Sequence, residues 1–166
     1  MSGSGGAAGS GLRAVPVLQD RWDILLVVAA GGALGSLARW AVTLVLPHEG
    51  RQFPWSTFTV NVVGCGLIGA LMLLDEELWA PSRYRRAFLR TGVLGGFTTF
   101  SAYGLDTHTL LLAGAVAAAA LYVLGSLAAG LAAVRLGTVG AAGAVALARR
   151  RRHRRPTGRP DPKEDP

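Results

Sequence analysis

Between Arg51 and Asp75 the chain carries no Asp, Glu, Lys or Arg, and between Arg90 and Arg135 it carries only Asp106. Gaps of that length match a lipid bilayer, which a helix crosses with about 20 apolar residues. Four charge-poor stretches follow: residues 24–46, broken only by Arg39 in the run GGALGSLARWAVTLVL, then 55–74, 87–105 and 109–136. The hydrophobic share of 51% agrees. The expected fold is an all-α integral membrane protein of four transmembrane helices occupying residues 23–137. Residues 1–22, opening MSGSGGAAGSG, are expected to be a flexible N-terminal tail, and 138–166 a basic, disordered C-terminal tail. A cleaved signal peptide is not expected, because the first apolar stretch is long enough to span and three more follow.

Lys and Arg near span ends stay in the cytoplasm. One side of the four spans carries Arg13, Arg21, Arg83, Arg85, Arg86, Arg90, Arg135 and the arginines of the tail, whereas the other carries only Arg51. Both termini are therefore expected in the cytoplasm and the chain in the plasma membrane. The net charge of +7 sits largely in the tail ARRRRHRRPTGRPDPKEDP. That tail lacks aromatics on which bases would stack, so it reads as a topology signal facing lipid rather than a nucleic-acid site.

An enzyme is not expected. His48, His108 and His153 are scattered, and the lone Cys65 lies in mid-span, unable to build a zinc site or an internal disulfide. The connections, LPHEGRQFP and a tight turn expected at Asp106-Thr107-His108, leave no room for an extramembrane domain. Activity must lie between the helices. Small residues at Gly31 and Gly35, Gly64 and Gly66, and Ser126 and Gly130 allow close helix approach, either as general packing or as a dimer seam.

Polar groups in hydrocarbon turn toward the bundle interior or a water-filled path. Thr57 and Asn61 share one helix face, as do Tyr122 and Ser126, giving two uncharged hydrogen-bonding stripes, although each hydroxyl has its own helix backbone as an alternative partner. In the third stretch, Gly92-Val93-Leu94-Gly95-Gly96-Phe97-Thr98-Thr99-Phe100-Ser101, paired glycines meet paired β-branched residues. This predicts an interrupted helix, with a simple glycine kink as the other reading. A break frees carbonyls and amides to become ion ligands. Carbonyls suit a hard cation, whereas hydroxyl and amide donors, with the ring edges of Phe100 and Tyr103, suit a small hard anion.

These residues resemble a family. GGALGSLARW, STFTVNVVGCGLIG and GVLGGFTTFSAYGLD are similar, in order and spacing, to the three signatures of the CrcB/Fluc fluoride channels, over residues 24–136. The resemblance implies an antiparallel dimer of four-helix subunits conducting fluoride passively and lowering its toxicity. It implies a structural, untransported Na+ held by the backbone carbonyls of Gly95 and Thr98. It places Asn61, Phe100, Ser101, Tyr103, Tyr122 and Ser126 on the fluoride pathway and Arg39 in an anion-attracting vestibule. Where the family reads Thr-Thr-Phe-Ser-Thr-Phe-Ser, this chain reads Thr-Thr-Phe-Ser-Ala-Tyr-Gly, so Ala102 lacks a hydroxyl and Tyr103 adds one. The one-sided arginines fit a single orientation, and hence a partner that is a different, oppositely oriented homologue. Two other readings are weighed. A small four-helix multidrug exporter would need a buried carboxylate for proton coupling, and none lies deep in the first, second or fourth stretch. A membrane scaffold would depend on the arginine tail.

Overall fold

The computed structural model describes residues 21–78 and 82–153, with side chains as far as Arg150. All regular structure among them is helical. Helix α1 spans Trp22–Val45, α2 spans Trp55–Glu77, and a segmented run follows: α3 (Arg83–Arg86), a π-helix (Ala87–Leu94) and α4 (Gly95–Phe97). After an interruption at Thr98 and Thr99, α5 covers Phe100–Leu112 and α6 covers Val116–His153. Helices α1, α2 and α6 are each long and apolar enough to cross a membrane.

Glycine decides the packing. A Cβ on Gly31 would lie 2.6 Å from the Phe88 carbonyl oxygen, and one on Gly35 would lie 2.8 Å from Phe97 N, so α1 rests directly on the π-helix and α4. The pairs rise together along both elements, Gly31 with Phe88 and Gly35 with Val93, so the two run parallel. On the other side α6 runs parallel to α2: a Cβ on Gly130 would touch Cys65 Sγ, one on Gly137 would strike the Gly66 carbonyl, and Arg149 Nη2 meets Glu77 Oε2 at 2.5 Å. The small residues singled out on α1 and α2 thus meet neighbours within the chain. The two halves of the segmented run have different hosts, the part before the interruption packing on α1 and α5 packing chiefly on α6.

Two boundaries differ from expectation. Asp106, Thr107 and His108 do not form the turn; they lie inside α5, and the chain reverses at Ala113–Ala115. The reason is local: the hydroxyls of Thr107 and Thr109 donate to the carbonyls of Tyr103 and Leu105 four residues back, at 2.8 and 3.0 Å, so they are satisfied within the helix. The reversal waits for Gly114, whose φ of 69° is the left-handed conformation that favours glycine. The fourth apolar helix accordingly begins at Val116 rather than near residue 109.

The second difference is the tail. Helix α6 has 38 residues, so at about 1.5 Å each it extends about 57 Å, well beyond a hydrocarbon core of about 30 Å. Residues 138–153, expected to be disordered, are helical. The sequence there, TVGAAGAVALARRRRH, is rich in alanine, the best helix former, and the Thr138 hydroxyl is satisfied by the Val134 carbonyl at 3.0 Å. The remainder of the expected C-terminal tail and residues 1–20 of the N-terminal one lie outside the described residues, whereas Trp22, expected in that tail, begins α1.

A buried charge closes the end of α2 near residue 77. Asp75, 4% exposed, accepts from Arg85 Nη2 at 2.7 Å and Arg86 Nε at 2.5 Å. This ties α3 to α2 where the segmented run begins.

Candidate functional site

The interruption is the centre of the site. Thr98 has φ −78° and ψ 157°, and Thr99 has φ −149° and ψ 123°, two consecutive extended residues between helical segments. The paired glycines do not themselves break the helix: Gly95 and Gly96 are helical, and a Cβ on Gly96 would strike Gly32 of α1. The extended residues are the threonines, whose β-branched side chains suit that conformation. Thr99 then starts the next helix, its hydroxyl accepting from Ala102 N at 3.1 Å as an N-cap.

Extended backbone at this depth must find partners, and Asn61 supplies them. Its Nδ2 donates to the Thr99 carbonyl and its Oδ1 accepts from Thr99 N, both at 2.9 Å. A side-chain amide thus replaces the backbone partners that the helix has given up. Asn61 keeps a second amide N–H unspent by these bonds. Ser36 Oγ donates to the Gly96 carbonyl at 3.4 Å and Arg39 Nη1 to the Thr98 carbonyl at 3.3 Å.

Two openings flank the interruption. One, of about 350 Å³, is lined by Asn61, Gly64, Gly95, Thr98, Thr99 and Phe100 among others. The second, of about 260 Å³, is lined by Ser36, Arg39, Thr43, Ser56, Thr57 and Thr99 among others. Arg39, half-buried, therefore brings its charge to the backbone of the interruption itself.

The two carbonyls expected to hold Na+ can be tested against their hydrogen bonds. In a continuous helix Thr99 N would bond to the Gly95 carbonyl, but it is turned to Asn61, so that carbonyl loses its helical donor. The Thr98 carbonyl accepts one bond, from Arg39, and retains a second lone pair. Neutral oxygens of this kind fit a hard cation, and both residues line the same opening. Two carbonyls fall short of a full coordination shell.

Beyond the interruption the aromatic residues form a connected series. Phe100 and Tyr103 have ring centroids 5.8 Å apart, Tyr103 and Tyr122 are 5.2 Å apart, and Phe53 meets Tyr122 edge-on at 5.4 Å. The Tyr103 hydroxyl, the departure noted in the sequence, donates to the Val123 carbonyl at 3.2 Å and pins α5 to α6. Tyr122 is fully buried, and its hydroxyl donates to Asp106 Oδ2 at 3.5 Å. One turn along α6, Ser126 Oγ is buried with no hydrogen-bond partner among the described residues. An orphaned hydroxyl in this setting costs about 1–3 kcal/mol, which a bound polar ligand would offset.

The fold thus gathers Arg39, Asn61, Gly95, Thr98 and Phe100 around the interruption and Tyr103, Tyr122 and Ser126 along α5 and α6. Ser101 stands apart, exposed and in contact only with Thr99 Oγ1, at 3.2 Å, among the described hydrogen bonds. Phe100 is 84% exposed, so among the described residues little beyond the Tyr103 ring lies against it. Sequence reasoning missed a cluster beside Tyr122. Ser56 Oγ lies 3.1 Å from His48 Nδ1, and His48 Nε2 lies 3.3 Å from Asp106 Oδ1. The sequence pattern puts Asp106 in a turn and His48 in a loop, and no local spacing joins residues 58 positions apart.

A multi-pass helical membrane protein, with its polar side chains converging on an interrupted helix, is the class that fold and site define. Comparison with known proteins makes this specific. The chain belongs to the CrcB family, whose model, described as CrcB-like protein, Camphor Resistance (CrcB), matches residues 26–138. It is 49% identical over 127 residues to "Fluoride-specific ion channel FluC 2" of Nocardia farcinica, covering 76% of this chain and 91% of that protein. It is 44% identical over 126 residues to "Fluoride-specific ion channel FluC 2" of Streptomyces avermitilis, covering 74% and 80%. It is 48% identical over 120 residues to "Fluoride-specific ion channel FluC" of Rhodospirillum centenum, covering 68% and 95%.

Proposed function

We propose that this protein is a fluoride-selective channel that lowers cytoplasmic fluoride by passive conduction, with its pores completed by a second, antiparallel subunit. The observation that carries the reading is the set of unspent donors around the interruption. Asn61 retains an amide N–H, and Ser126 on the Tyr122 stripe a hydroxyl without a partner among the described residues, while Phe100 presents its ring outward. Fluoride is strongly hydrated, and neutral donors in a narrow path replace its water without trapping it. The segmented run is the third of four crossings, with both termini in the cytoplasm of a cell whose plasma membrane holds the channel.

The outward-facing Phe100 and the half-lined opening at Gly95 and Thr98 fit an interface between two subunits. There the carbonyls of each chain would jointly hold a structural Na+, and Arg39 would favour anions near the mouth. The strongly one-sided arginines favour a partner that is a different homologue of opposite orientation. No catalytic role is assigned.

Ion efflux from liposomes carrying the purified protein, alone and with candidate partners, tests this. Fast fluoride efflux with chloride retained is expected; equal rates, or none under any pairing, reject selective conduction. Robust conduction by the protein alone would overturn the mixed dimer while leaving the channel reading in place. Efflux that requires a proton gradient would favour an exporter, and function that is lost with the arginine tail would favour a scaffold.

A further inference from the structure

The loop between α1 and α2 reaches over the end of α5, and there His48 is held on both ring nitrogens. Its Nε2 is 3.3 Å from Asp106 Oδ1 and its Nδ1 is 3.1 Å from Ser56 Oγ. The side chains of His48 and Asp106 are 22% and 15% exposed, and Ser56 is buried. The same carboxylate accepts the Tyr122 hydroxyl through its other oxygen at 3.5 Å. His48, Asp106 and Tyr122 therefore form one hydrogen-bonded chain from the aqueous loop to the buried aromatic stripe. An opening of about 190 Å³, lined by His48, Gln52, Asp106 and Thr109 among others, lies at its outer end.

We infer that His48 is a positioning residue that sets the charge and hydrogen bonding of Asp106 beside Tyr122, making fluoride conduction respond to the pH of the solution on that side. This rests on the channel reading above. An ionised carboxylate only accepts, so neutral His48 donates from Nε2 to Asp106 and accepts from Ser56 at Nδ1. In that state Asp106 keeps its full negative charge next to the path and holds the Tyr122 proton. A fluoride ion meets repulsion, and the phenol donor is engaged. When His48 takes up a proton from water, it forms an ion pair with Asp106. The pair is neutral overall, the carboxylate becomes a weaker acceptor for Tyr122, and the phenol O–H is released to an incoming anion.

The groups around His48 allow this. Asp106 is the charged partner from α5, and Tyr122 lies behind it on α6. The ring of Tyr103 lies tilted against Tyr122, and Thr57 of α2 lies beside it. Glu49 and Arg51 on the loop and His108 on α5 are exposed, where solvent and salt screen them. Histidine is the side chain that ordinarily changes charge in the physiological range.

The test is fluoride efflux from liposomes holding the full chain with any partner it requires. The pH is equal on both sides and stepped from about 8 to about 5.5, where histidine gains its proton. Protein-free vesicles at each pH measure the leak of hydrogen fluoride. Acidification is expected to raise efflux by the parent protein about fivefold, the factor that corresponds to about 1 kcal/mol. His48→Gln, which retains a donor for Asp106 and cannot titrate, is expected to give a flat profile. His48→Lys, always charged, is expected to be flat at the higher level. A flat profile for the parent, or an unchanged response in His48→Gln, overturns the proposal. The imidazole resonances of His48, followed by NMR, read the link whether or not ions flow. Asp106→Asn removes the charged partner 3.3 Å from Nε2 and is expected to shift those resonances, and unshifted resonances overturn it as well. Absence of fluoride efflux at every pH, with those resonances still shifted by Asp106→Asn, would instead remove the channel reading.

Discussion

Replacing Asn61 with alanine tests how the interruption is held. The side chain makes two 2.9 Å bonds to one residue, donating to the Thr99 carbonyl and accepting from Thr99 N. Alanine removes both and leaves a backbone donor and acceptor without partners in a half-buried position. Each unsatisfied group costs about 1–3 kcal/mol, so the pair costs about 2–6 kcal/mol. For a chain of this size that corresponds to a melting temperature lower by at least about 4 °C. Asn61→Asp separates the two contributions, because its carboxylate still accepts from Thr99 N but sets a negative oxygen against the Thr99 carbonyl. It is expected to be as destabilised as alanine or more so. The assay is thermal unfolding in detergent, with fluoride efflux measured on the same preparations. Both variants are expected to lose most conduction, since Thr98 and Phe100 are positioned by the same two bonds. An Asn61→Ala protein that melts within about 1 °C of the parent would refute the view that this amide holds the backbone.

Other expectations are more local. Gly35→Ala puts a methyl 2.8 Å from Phe97 N and should lower stability by about 1–3 kcal/mol, whereas Gly32→Ala, with open space around its Cβ, should change the melting temperature little. Tyr103→Phe deletes the bond to the Val123 carbonyl at a cost of about 1 kcal/mol and should leave fluoride selectivity intact, as an efflux comparison with chloride will show. Ending the chain after Ala148 removes the Arg149–Glu77 pair, an exposed contact worth at most about 1 kcal/mol, so conductance per protein should stay within a factor of about two.

The membrane class and the interruption were legible because each has a one-dimensional signal. Charge gaps mark apolar helices, and Gly-Gly followed by Thr-Thr marks a weak point in one. The division of labour between them was not legible. Gly96 looks like a helix breaker but is a contact surface for Gly32, and only the packing of α4 on α1 reveals it. Asn61 could be placed on a polar stripe, but its partner lies 38 residues away, and a local pattern carries no information about such a bond. Thr107 and His108 suggested a turn because polar residues often mark helix ends; bonding of threonine back to its own helix removed that reason. The length of α6 was hidden by arginines that resemble a disordered tail, while the alanines before them sustain the helix.

Two extended residues also change the angular bookkeeping of everything that follows them. In an unbroken helix each residue turns about 100°, so a face chosen at Gly92 and Gly96 would dictate where Tyr103 and Asp106 point. At Thr98 and Thr99 that phase is reset. The part facing α1 and the part facing α6 can then be altered independently, by substitution on either side, without rotating the other out of register. The glycine-packed part that ends at Phe97 and the part that carries Tyr103 thus behave as two separately adjustable pieces of one crossing.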